Sequence, residues 1–149
     1  MKHMPLMHAA LTDPDFGFDI SDETGHSMRI DVPVDQGGGG TGFRPMQTVL
    51  AALCGCSGVD VVSILKKQRQ EMQGLEILVD GEREKDKEPS LWESLHVTFL
   101  VSGDVEPGKA WRAVELSINK YCSVAETLRR AGARITWSVR VNGTEVQTN

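Results

Sequence analysis

The stretch from Met46 to Leu65 limits the folds open to this chain more than any other part of it. It is roughly twenty residues long, about what a bilayer crossing takes. Yet it contains Gln47, Thr48, Ser57, Asp60 and Ser63, and an ionised Asp in hydrocarbon is costly. Drawn as a helix from Met46 to about Lys67, it is apolar on nearly all sides, the mark of a buried core helix. Pro45 suits the first turn, where a missing N–H costs nothing. Gly55 and Gly58 each cost such a helix roughly 1 kcal/mol against Ala, which predicts close packing against its backbone. A chain of 149 residues has few elements to cover this helix on every side. A second copy is the expected cover, making an obligate homodimer.

The flanking segments read as strands and two further helices. Phe16, Phe18 and Ile20 alternate with polar or small residues, as do Met28, Ile30, Val32 and Val34, with turn residues Ser21 to Ser27 between them. This predicts an N-terminal hairpin. Gly37 to Gly40 lacks the Lys-Ser/Thr ending of a phosphate-binding loop and reads as a flexible linker. After the long helix, Leu75, Ile77 and Val79 form one strand face and Leu95, Val97, Phe99 and Val101 another, joined by a charged turn around Gly81 to Ser90. Pro107 opens an amphipathic helix with a buried stripe of Ala110, Trp111, Val114, Ile118 and Tyr121. Ser123-Val-Ala-Glu126 has the form of a capping box, starting a short helix that ends at Gly132. Ile135, Trp137, Val139 and Val141 then alternate with Arg134, Thr136, Ser138 and Arg140 as a last strand. The order β-β-α-β-β-α-α-β predicts one α+β domain with mainly antiparallel pairing around the long helix.

Composition narrows the function. A net charge of −5, with basic residues scattered among acids as in Glu82 to Lys87, argues against nucleic acid as the main partner. The N-terminus has no apolar stretch of signal-peptide length. Three cysteines without a secretory signal point to reduced thiols in the cytoplasm, and no membrane association is expected. The four histidines and the absence of a C-x-x-C motif give no metal-ligand pattern, and no cofactor is implied.

The thiols are the remaining chemistry. Cys54 and Cys56 lie two apart and point roughly 200° apart on a helix, so they cannot pair with each other. A Cys in an apolar helix can simply pack as a small hydrophobe. Cys122 sits between two helices, just ahead of the Ser123 cap, where a helix dipole would favour its thiolate.

Arg44 to Lys67, with Gly55-Cys56 inside an apolar helix, and the later Lys120-Tyr-Cys-Ser-Val124 resemble the OsmC/Ohr family of osmotically inducible and organic hydroperoxide resistance proteins. The match is nearer to its YhfA-like branch and extends over nearly the whole chain. The resemblance implies an intertwined homodimer, with the N-terminal hairpin, about residues 9–35, exchanged or packed across it. It also implies reduction of organic hydroperoxides, Cys56 attacking, Cys122 resolving, and an external dithiol restoring both thiols. Peroxidatic relatives support the attacking thiol with a hairpin arginine and a glutamate at the start of the central helix. Here that helix start carries Met46 and Gln47; Arg29 and Arg44 are the candidate arginines, and Asp60 lies one turn past Cys56. The uncharged Gln47 leaves a second reading open, a redox-responsive or small-ligand-binding protein without efficient peroxidase turnover. A third is a protein whose cysteines only pack.

Overall fold

The structure, a computed structural model, describes residues 6–147. It is α+β, and its backbone forms two compact units that meet in sequence between Ala51 and Ala52.

In the N-terminal unit, Met7–Leu11 (β1), Phe18–Asp22 (β2) and Ser27–Ile30 (β3) form an antiparallel meander. The expected hairpin therefore has a third strand, β1, which shows no apolar–polar alternation in Met7-His-Ala-Ala-Leu11. Cross-strand register places Leu11, Phe18 and Ile30 in one row and Ala9, Ile20 and Met28 in the next. This face is largely bare: Leu11 is 53% exposed, Phe18 37% and Met28 39%. Within the unit only Gly17 and Asp31 are buried among the described residues. The sheet thus has no apolar core of its own.

Polar contacts hold its loops. The Asp31 carboxylate accepts the Thr41 hydroxyl at 2.6 Å, the Val32 N–H at 2.7 Å and the Thr41 N–H at 3.1 Å. These bonds hold its pKa well below the usual carboxylate range, at about 2. The glycine run, expected as a flexible linker, is instead a folded loop. Gly38 and Gly40 donate N–H to the Pro33 and Val32 carbonyls, and a Cβ on Gly38 would stand 2.0 Å from the Val32 oxygen. Glycine is needed there for close approach, not for mobility.

Helix α1, Pro45–Lys67, carries the chain into the C-terminal unit. By length and composition it could cross a membrane, but its Ser57 and Asp60 are hydrogen-bonded within the protein. Its buried stripe is Leu53, Ser57, Gly58, Val61 and Leu65. The expectation of burial on all sides is not met within one chain, since Val59 is 70% exposed. Gly58 matches the predicted close approach, though to a strand: a Cβ there would meet Ile77 Cδ1 at 3.0 Å, while Gly55 faces open space.

Strands Glu71–Arg83 (β4) and Trp92–Asp104 (β5) pair antiparallel, with Val79 opposite Val97 and Ile77 opposite Phe99. Arg134–Val141 (β6) joins β5 in parallel, with Val97 beside Trp137 and Phe99 beside Val139, and Thr144–Glu145 (β7) closes the edge antiparallel. The order is therefore β-β-β-α-β-β-α-α-β-β, mainly antiparallel as expected, with one parallel pair. Helix α2, Pro107–Leu116, buries Ala110, Ala113 and Val114, and the Trp111 and Trp137 rings meet at a 41° tilt with centres 5.8 Å apart. Fully burying a side chain of the Val97, Phe99 or Val139 kind contributes about 1.5–3 kcal/mol; all three are wholly buried. This sheet and its helices hold α1 and the segment after α2.

Candidate functional site

After α2 the backbone widens into a π turn, Ser117–Tyr121, closed by the Cys122 N–H donating to the Ser117 carbonyl at 2.7 Å. Such bulges are frequent at functional sites. This one has two local consequences. Ile118 stays buried, but Tyr121, expected on the buried stripe, is 51% exposed. The residue that caps the next helix, Ser123–Arg130 (α3), is Cys122 and not Ser123. Its sulfur accepts the Ala125 N–H at 3.4 Å, and Glu126 pairs with Arg129 and Arg130 in place of closing a capping box.

Cys122 is 2% exposed. Burial lifts its thiol from 9.0 to about 11, the neighbouring Cys56 thiol adds to the rise, and the Ala125 N–H works against it. Burial thus works against the acidity that the start of α3 alone would give Cys122. A sulfur is a weak acceptor, so the Ala125 N–H at 3.4 Å, even with help from the Val124 N–H, does not offset the loss of water around a charge. Cys56, half-buried on α1, lies close enough to act on the Cys122 ionisation both as a hydrogen-bond partner and as a charge. Cys54 opens onto a different groove, alongside Gly55, Val59, Val62 and Leu75, and burial raises its thiol. All three cysteines are free thiols.

Asp60, one turn beyond Cys56, is half-buried and bonded to a hydroxyl. Ser117 Oγ lies 2.9 Å from Asp60 Oδ2 and 3.2 Å from the Ser57 carbonyl oxygen, so one proton is shared between them. Ser57 Oγ in turn donates to the Leu53 carbonyl at 2.7 Å. The wholly buried Ser117 thus ties the π turn to α1 next to the thiols. No sequence signal links Asp60 to Ser117, which lies 57 residues away.

The structure brings Cys56, Cys122 and Asp60 together in the C-terminal unit; Arg29, Arg44 and Gln47 belong to the N-terminal unit. There the Arg29 guanidinium donates to Asp13 at 2.9 Å, Asp19 at 2.8 Å, and the Thr12 and Thr41 hydroxyls at 2.7 Å each. Gly17 makes room for the Asp13 pair, since a Cβ would stand about 2 Å from both partners (2.1 and 2.2 Å). Gln47 turns its side-chain oxygen to the Arg44 N–H at 3.0 Å, satisfying a free donor at the start of α1. Among the described residues no group of three or more His, Cys, Asp and Glu side chains is placed to hold a metal ion.

The chain is similar to known proteins along most of its length. Residues 37–138 match the family described as OsmC-like protein. Protein YhfA of Escherichia coli (strain K12) is 41% identical over 119 residues, spanning 79% of this chain and 84% of that one. A hypothetical protein from Aquifex aeolicus VF5 superposes with a TM-score of 0.76 at 30% identity, covering 95% of this chain and 99% of that one. An organic hydroperoxide resistance protein OsmC from Legionella pneumophila shares the fold, with a TM-score of 0.69 at 15% identity over 94% of this chain and 100% of that one. A family match over most of the sequence, a 41% identical relative and a shared fold have one reading: the chain belongs to the OsmC-like protein family.

Proposed function

We propose that the protein reduces organic hydroperoxides with two thiols, Cys56 attacking and Cys122 resolving. The observation that carries this reading is a buried thiol, Cys122, held protonated beside a second thiol on α1. Cys54 opens onto a different groove, which leaves Cys56 for the first step. Its thiolate takes the outer oxygen of the hydroperoxide, the O–O bond breaks, and the alcohol leaves with a proton, giving a sulfenic acid on Cys56. That product is neutral, so the Cys56 charge no longer opposes ionisation of Cys122. The Cys122 sulfur then attacks, water leaves, and a Cys56–Cys122 disulfide results. An external dithiol restores both thiols. The order of events follows from the electrostatics: the resolving thiol becomes easier to ionise once the first has been oxidised.

The same reading includes a cytoplasmic homodimer. The uncovered apolar face of the N-terminal sheet and the exposed side of α1 support it, because each exposes side chains that a second copy would bury. In that assembly the N-terminal strands pack on or exchange with the partner. A second reading, a redox-responsive or ligand-binding protein with little turnover, is favoured by Gln47 acting as a helix cap and by Arg29 being bound to Asp13 and Asp19. Stopped-flow thiol loss with cumene hydroperoxide separates the two. Under the peroxidase reading Cys56→Ser abolishes consumption, Cys54→Ser leaves it nearly unchanged, and hydrogen peroxide reacts more slowly. A Cys56→Ser protein as fast as the parent rules the peroxidase out.

A further inference from the structure

A cleft of about 320 Å³ opens beside Cys122, between the π turn and α3, with Lys120, Tyr121, Thr127 and Arg130 in its wall. We propose that a small dithiol reductant enters by this cleft and attacks the sulfur of Cys122, so that Cys56 departs as the thiolate. This rests on the two-thiol reading above and adds the route and the sulfur by which the site is reset. The opening exists because of the π turn. In an unbroken α-helix Tyr121, three residues after the buried Ile118, would lie on the same inward face; the wider turn leaves it half outside. The volume lies at the lower end of small-molecule sites, which run from about 300 Å³ upward.

Exchange chemistry favours the same sulfur. The thiol of lower pKa leaves faster. Attack on Cys56 would have to expel Cys122 at once, a thiolate that burial disfavours, whereas attack on Cys122 defers that departure to the second step, where the displacing thiol is already tethered beside it. The steps balance. One reductant thiolate bonds to Cys122 Sγ, the S–S bond breaks, and Cys56 takes its electron pair. The second reductant thiol then attacks the first reductant sulfur, closing a cyclic disulfide and expelling Cys122. The two electrons and two protons of the dithiol end on Cys56 and Cys122.

The test uses the full chain oxidised in parallel with cumene hydroperoxide and with diamide. Each sample is treated with 2-mercaptoethanol while N-ethylmaleimide traps released thiols, and the adducts are mapped by peptide mass spectrometry. The expected result is mercaptoethanol on Cys122 and maleimide on Cys56. Mercaptoethanol on Cys56 overturns the proposal. If only diamide forms the disulfide, the hydroperoxide reading fails while the adduct position still decides the route. If neither oxidant forms it, both readings fail. In addition, Thr127→Trp, filling the cleft, should slow opening of the disulfide by dithiothreitol on the order of tenfold, access being one of the determinants of exchange rate. An unchanged rate in a variant with the parent circular dichroism overturns the route.

Discussion

Cys122 sits at the start of α3, where the helix dipole would make a thiol more acidic, yet it is also buried, and the two effects oppose each other. Replacing Cys54 and Cys56 by serine isolates it. In the parent protein burial lifts the thiol from 9.0 to about 11, which corresponds to roughly 3 kcal/mol against the thiolate. At pH 8 a thiol of pKa 9 is about one-tenth ionised and one of pKa 11 about one-thousandth. The Cys56 contribution disappears in the isolated variant, but burial is the largest cause and remains, so the midpoint should fall between 9.0 and about 11. Thiolate absorbance at 240 nm and the pH dependence of iodoacetamide alkylation both read it. The sign also fixes a stability trend. A raised folded-state pKa contributes stability that is fully present below the unfolded value and is lost as pH rises through the folded one. Unfolding free energy should therefore decline from about pH 9 to pH 11 by more than in a matched Cys122→Val protein. A midpoint at or below 9.0, or identical pH profiles for the two proteins, would show that the helix end outweighs burial and refute the argument.

Ser117→Ala strips the half-buried Asp60 carboxylate and the Ser57 carbonyl of their shared donor. It should destabilise the protein by about 2 kcal/mol, seen by calorimetry as a melting point lower by roughly 4–8 °C; an unchanged melting point would mean water replaces the hydroxyl freely. Asp31 is held low, to about 2, by Thr41 and Val32, so its stabilisation is present above the ordinary 3.8 and lost as pH falls through about 2. The acid titration of the Val32 and Thr41 amide resonances should flatten over that range in Asp31→Asn. Val59→Glu places a charge on the exposed side of α1 and should convert the dimer to a 16.3 kDa species in light scattering; a parent protein already at that mass would sink the dimer reading.

The amino-acid sequence alone determined most of the elements. Period-two alternation in Leu95 to Val101 and in Ile135 to Val141 marks β5 and β6 because both strands bury one face, and the apolar run after Pro45 marks α1. What was not legible has physical reasons. Alternation is the same whichever way a strand runs, so the parallel pairing of β6 with β5 had no signal. Strand β1 lacks alternation because its partnerless face stays open within one chain. Local position gives Cys122 the helix dipole but not the burial, which depends on how the π turn is packed. The same turn, one residue wider than an α-turn, moved the cap from Ser123 to Cys122 and swung Tyr121 outward. Its hydrogen bonds reach from Ser117 to α1, 57 residues back in the chain. Only the tertiary structure could decide where that turn sits, and with it the placing of Cys122 beside Cys56.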